Sequence, residues 1–147
     1  FEAGSAVAEI GDEAFKNSGL TSVNLPALEK IGSSAFEGCT ALTAVSVSSA
    51  EKNISLGAKA FKGCTKLTGV ELNASTMSSY GDSFDGCENL SEITFGGKKD
   101  DWKFNVSYSS SQIGSAVPDM GKTGNFLTVT CNDGTIIYNV DGTIFKS

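Results

Sequence analysis

Apolar residues recur along this chain in one phrase with four copies. Aligned on Phe15, Phe36, Phe61 and Phe84, the copies are 21, 25 and 23 residues apart. Before each Phe stand Ala14, Ala35, Ala60 and Ser83. Further upstream come Ile10-Gly11, Ile31-Gly32, Leu56-Gly57 and, with one residue deleted, Tyr80-Gly81. Two residues after each Phe come Asn17, Gly38, Gly63 and Gly86, then Ser18, Cys39, Cys64 and Cys87. Each copy closes on alternating apolar positions: Leu20, Val23 and Leu25; Leu42, Val45 and Val47; Leu67, Val70 and Leu72; Leu90, Ile93 and Phe95. A period of this length marks stacked coils and is weighed before any other pattern.

Each part of the phrase predicts an element. Strict alternation is the period of a strand with one buried face. A strand of four to six residues cannot bury that face alone, whereas copies paired edge to edge about 4.8 Å apart can. The Ala-Phe stretch is too short for a full helix and predicts a single helical or 3₁₀ turn whose Phe fills the interior. The Gly or Asn two residues on predicts a left-handed residue ending that turn, a conformation Asn tolerates better than most residues. The Gly after the first apolar residue predicts a second tight bend. The fold class is therefore a β-rich solenoid: strand, loop, bend, helical turn and back to strand, with Leu, Val and Phe in interior columns.

After Phe95 the phrase stops. Trp102 falls about where the next coil's first apolar residue is due and predicts a plug on the last rung, with an exposed, ligand-stacking Trp as the alternative. Residues 105–125, rich in Ser and Gly and containing Pro118, predict an irregular wrap. Alternation returns at Leu127, Val129 and Cys131, then Ile136, Tyr138 and Val140, with Asp133-Gly134 and Asp141-Gly142 as hairpin-turn pairs. A small antiparallel meander is expected from Phe126 to Phe145, either continuing the repeat sheet or packing across its end. Such a cap covers the final rung and its strand edge. The division predicted is 1–95 for about four coils, the first truncated, and 96–147 for the capping segment. The chain opens in mid-pattern at Phe1 without Met, as a fragment or processed product does.

The run Ile31-Gly-Ser-Ser-Ala-Phe-Glu-Gly-Cys-Thr-Ala-Leu-Thr-Ala-Val-Ser-Val resembles the BspA-like class of leucine-rich repeats, and the resemblance covers roughly residues 7–95. It implies a right-handed β/α-type coil with a parallel sheet, short helical turns and an antiparallel C-terminal cap. It further implies a secreted or cell-surface protein, often of host-associated bacteria, engaged in adhesion or extracellular binding. The segment Phe95–Trp102 and the later Cys131-Asn-Asp133-Gly134 are similar to the way such arrays end. No catalytic residues come with the resemblance.

Composition narrows the function. Net charge is −6 and the chain has no Arg, which disfavours nucleic-acid binding; the one adjacent basic pair, Lys98-Lys99, runs straight into Asp100-Asp101. His is absent, which removes Ser-His-Asp and Cys-His catalysis and His-ligated zinc. No apolar run approaches the ~20 residues of a membrane-spanning helix. The carboxylates of Asp12-Glu13, Asp100-Asp101 and Asp133 fall in turn contexts, where solvation is the plain reading. A glycosidase would need two of them about 5–10 Å apart across a cleft. Neither a calcium loop nor a cofactor motif is present.

Cys39, Cys64 and Cys87 hold one repeat position, shared by Ser18, and predict a ladder of small buried residues rather than a metal site or disulfides between coils. Cys131 is expected to be buried in the cap. Unpaired thiols ordinarily point to a reducing compartment; the resemblance points outside the cell, and a ladder explains the Cys without redox chemistry. Asn53, Asn73, Asn89 and Asn105 each open an Asn-x-Ser sequon, of which about two are expected from composition alone.

Between the buried strand positions lie Ser22, Asn24, Ala44, Ser46, Gly69, Glu71, Glu92 and Thr94, expected on the concave face. They form a small, polar, mildly acidic surface without the Trp, Tyr and Arg anchors of tight interfaces. The function predicted is a non-enzymatic module that binds a host or matrix protein or a glycan, made effective by multivalency. The alternative is a spacer without a ligand of its own.

Overall fold

The structure is a computed structural model. It describes residues 7–80, 82–105, 127–138 and 144–147, and at 50–52, 80, 103–105 and 144–146 the backbone alone. The strands are β1 (Glu9–Ile10), β2 (Ser22–Leu25), β3 (Lys30–Ile31), β4 (Ala44–Leu56), β5 (Gly69–Tyr80), β6 (Glu92–Phe95), β7 (Trp102–Asn105), β8 (Leu127–Cys131), β9 (Gly134–Tyr138) and β10 (Ile144–Lys146). They stack in parallel as a solenoid until β8, after which β9 and β10 turn antiparallel.

Each coil has three sides. On the first, β2, the front of β4, the front of β5, β6 and β8 pair in parallel: Val23 with Val45, Val45 with Val70, Val70 with Ile93, Ile93 with Val129. On the second, β1, β3, the ends of β4 and β5, and β7 do the same, as in Ile10 with Ile31 and Ile31 with Leu56. The third side is the turn that carries the Phe. Alternation puts Val23, Leu25, Val45, Val47, Val70, Leu72, Ile93 and Phe95 inside, all buried.

The Phe residues form a column. Successive rings from Phe15 to Phe84 lie 5.3, 5.2 and 5.3 Å apart, within 8° of parallel, inside the separation at which aromatic pairs attract. Phe36, Phe61 and Phe84 are fully buried and Phe15, on the first coil, is partly so. Each buried ring contributes roughly 2–3 kcal/mol. The cysteines form the adjacent column: Cys39, Cys64 and Cys87 are free and buried. Each donates its S–H to a carbonyl of the preceding coil, Phe15, Phe36 and Phe61, at 3.0–3.1 Å.

The expected helical turn takes the form of consecutive tight turns. Amides of Lys16 and Ser18 bond back three residues, to Glu13 and Phe15. The alternate amides, Glu13, Phe15 and Asn17, point instead at carbonyls of the next coil, Ser33, Ala35 and Glu37, at 2.7–2.9 Å. The pattern repeats one coil on from Ser34, Phe36 and Gly38. Alternate amides can leave their own turn because left-handed residues recur through it. Asn17 (φ 57°) and Gly38, Gly63 and Gly86 (φ 71°) are left-handed as predicted, and so are Glu13, Ser34 and Lys59 (φ 54–57°). Those last three carry a strain of order 1 kcal/mol each, offset by bonds to the next coil: Glu13 N to Ser33 O, Ser34 N to Ala58 O, Lys59 N to the Asp82 carboxylate.

Gly32 and Gly57 open the tight bend expected of them, their carbonyls accepting the amides of Ala35 and Ala60 three residues on. They also let neighbouring coils approach: a Cβ on Gly57 would lie 2.5 Å from Ser33 N, and one on Gly32 2.6 Å from Asp12 N. One expectation about the phrase needs correction: Tyr80 is not the inward residue of the fourth copy. Leu56 pairs with Ser79, and both lie five residues before their Phe, so no residue is deleted. Ser79 and Ser83 replace a Leu and an Ala in the core, and the Ser79 hydroxyl donates to that of Ser83 at 2.7 Å.

The uneven spacing of the copies is absorbed at corners. Between the first and second sides β4 carries Ser49 to Asn53 where β5 carries Ala74 to Thr76, a bulge of two residues that accounts for the step of 25 against 23.

Trp102 is buried, edge-on to Phe95 with centroids 5.3 Å apart, and its Nε1–H donates to the Tyr138 hydroxyl at 2.9 Å. It is a plug, which sets aside the ligand-stacking alternative. Its register is with Met77, two residues before the due position, which Phe104 occupies opposite Ser79. Cys131 is buried as expected. The cap continues the repeat sheet, β8 pairing with β6, β9 with β8 and β10 with β9. The β8–β9 turn is Asn132-Asp133, and Gly134 (φ 137°) opens β9 opposite Cys131. The predicted wrap, Pro118, Phe126, Val140 and the Asp141-Gly142 turn lie outside the described residues.

Candidate functional site

The eight residues picked out by alternation form two rows on the outer surface of the first side. Ser22, Ala44, Gly69 and Glu92 are successive register partners, and so are Asn24, Ser46, Glu71 and Thr94. The rows continue into the cap as Thr128 and Thr130. All eight line a groove of about 450 Å³, together with Thr68, Val23, Val45 and Val70. The groove arises because the first row carries almost no side chain at its centre, Ala44 and Gly69, while Glu92 and the second row rise beside it.

Gly69 is unusual within this surface. Glycine in a strand costs roughly 0.5–1 kcal/mol relative to Ala. Its backbone is not left-handed, and a Cβ would meet nothing within 4 Å. The fold itself has no need of glycine here.

Glu71 and Glu92 are the groove's charged residues. The Ser46 hydroxyl donates to Glu71 Oε2 at 3.0 Å and fixes that carboxylate. Beside the groove, hydroxyls of Thr43, Thr68 and Ser91 donate to carbonyls of Thr21, Thr43 and Thr68 in the preceding coil. Short polar side chains here repeat the coil-to-coil bonding of the backbone, a ladder the apolar phrase gave no reason to single out.

Several other carboxylates serve the fold. Asp12 accepts the Ser33 amide at 2.7 Å, Asp82 the Lys59 amide at 3.1 Å and Asp133 the Lys99 amide at 2.8 Å. Lys16 bridges Glu13 and Glu37, and Lys62 pairs with Asp85. The Ser34 hydroxyl, aided by Lys16, holds the Glu37 carboxyl below its ordinary range. A hydrogen bond with Cys64, together with burial, pushes the Cys87 thiol far up, so it stays protonated and poorly nucleophilic. Among the described residues no cluster of three metal-ligating side chains occurs and no helix is long and apolar enough to cross a membrane.

Parallel coils with shared Leu, Phe and Cys columns define a leucine-rich repeat solenoid, a scaffold whose surface rather than interior carries function. The family model for the BspA type leucine rich repeat region matches residues 2–116 in six copies. The chain belongs to that family. Six copies exceed the four marked by a Phe, and the match runs beyond residue 95, through β7 stacked on β5. No curated protein and no solved structure matches the chain.

Proposed function

We propose that this chain is a non-catalytic interaction module of a secreted or cell-surface protein, and that the groove over Ala44 and Gly69 is where a partner protein docks. The observation that carries the reading is the coincidence of the eight alternating outward-facing residues with that groove. Membership of a repeat family whose stacked coils supply extended surfaces supports it. Adhesion to host or matrix protein follows if the module is displayed outside the cell, with weak single contacts strengthened by multivalency. Glycan is the competing ligand.

The test uses the whole chain with a photo-crosslinking amino acid in place of Ser46, or of exposed Glu88 as a control, incubated with purified collagen, fibronectin or laminin. Crosslinking from position 46 well above that from 88 supports the reading. Equal crosslinking from both positions, or capture that survives randomising all eight residues, overturns it and favours a spacer. Binding on a glycan array without protein crosslinks reassigns the groove to carbohydrate.

A further inference from the structure

We infer that the groove seats a cationic side chain, a lysine or arginine presented by an extended segment of the partner, over Gly69. This rests on the reading of the groove as the docking face and names what docks there.

The void over Gly69 is the first observation. At Gly57 the neighbouring coil fills the space where a side chain would go, 2.5 Å from a would-be Cβ; at Gly69 nothing lies within 4 Å. A β-branched residue would strengthen this strand. The void sits inside the groove, and its floor continues over Ala44, a short apolar path of the kind along which a lysine stem lies while its charge reaches polar groups.

Charge complementarity is the second observation. Glu92 is the register partner of Gly69 on the next strand, and Glu71 is two residues along its own strand on the same face. Such neighbours stand about 5 Å and about 7 Å away, so one cation over Gly69 reaches both carboxylates. Glu13, Glu37 and Asp85 are paired with lysines. Glu71 and Glu92 have no ion pair among the described residues, and no lysine lines the groove. A net charge of −6 adds long-range attraction for a basic partner.

The experiment is an amide-resolved NMR titration of the whole chain with three acetylated, amidated peptides, Ser-Gly-X-Gly-Ser, in which X is Lys, Gln or Glu. The Lys peptide is expected to shift amides at positions 44–46, 69–71 and 92–94 and to bind several-fold tighter than the other two. Glu71→Gln and Glu92→Gln each weaken it by about 3-fold, and raising salt from 0.05 to 0.5 M weakens it further. Gly69→Thr abolishes the shifts while the melting temperature holds or rises, which separates loss of the site from loss of the fold.

Equal groove shifts from all three peptides overturn the cation assignment and leave groove docking standing. A Lys peptide that moves nothing, or moves amides scattered around Asp85 and Glu88, overturns it too. In every case the crosslinking experiment judges the docking reading on its own.

Discussion

The indole of Trp102 donates its N–H to the hydroxyl of Tyr138, 36 residues away, at 2.9 Å in the buried interior. The bond ties the last rung of the second side to the antiparallel cap. Burial pushes the Tyr138 phenol above its ordinary value near 10. The fold therefore favours the neutral phenol, and that stabilisation is complete below about pH 10 and lost as pH rises through the raised value. Trp102 is the sole tryptophan, so its fluorescence should shift to the red in an alkaline transition above pH 10. Tyr138→Phe should remove that transition and cost about 1 kcal/mol in urea unfolding.

The Phe column makes interior coils more sensitive than the first. Phe61→Ala should cost about 3–5 kcal/mol, because the ring is fully buried between Phe36 and Phe84. Phe15→Ala should cost about 1–2 kcal/mol, since that ring is only partly buried. Chemical denaturation followed by circular dichroism compares the two, and equal costs would contradict the stacked column.

The glycines at the start of the turns should divide by their neighbours. Gly57→Ala drives a methyl against the Ser33 backbone and should cost about 1–3 kcal/mol. Gly11→Ala meets nothing within 4 Å and should stay within about 0.5 kcal/mol of the parent. Thermal melts of the two variants decide it.

The thiols should be silent in the native state. All four cysteines are buried and outside any disulfide, and three donate to backbone carbonyls. Ellman's reagent should titrate almost none in buffer and four in guanidinium. Fast reaction of even one of Cys39, Cys64 or Cys87 in the folded chain would contradict the column.

Most of the first and third sides was legible because both are written in residues that have few other uses. Phe, Cys and Gly at fixed spacing fix the turn, and Leu-x-x-Val-x-Leu fixes the strand with its two outward positions. The second side was hidden. Its strands are short in the first coils, it carries polar Asn53, Thr76 and Ser79, and a bulge breaks its period between Ser49 and Asn53. The same polarity makes Tyr80 resemble the inward residue, although Ser79 holds that slot. The left-handed Glu13, Ser34 and Lys59 could not be read either, because only bonding between coils makes such residues affordable there. In the candidate site, alternation gave the eight residues. It could not give the groove, whose shape depends on how row stacks on row.

The turn amides that leave their own coil all point the same way, from Glu13 to Ser33, from Ser34 to Ala58, from Phe61 to Ser83. At these turns each coil consequently gives amides to the next and receives them from the one before, while the amides of Thr43, Thr68 and Ser91 donate back to the preceding coil, and both sets are alike from one coil to the next. Copying or deleting a whole coil restores the same junction, so gene duplication can lengthen or shorten such a protein without redesigning it. A coil entered in reverse would set turn carbonyl against turn carbonyl and leave those bonds unmade.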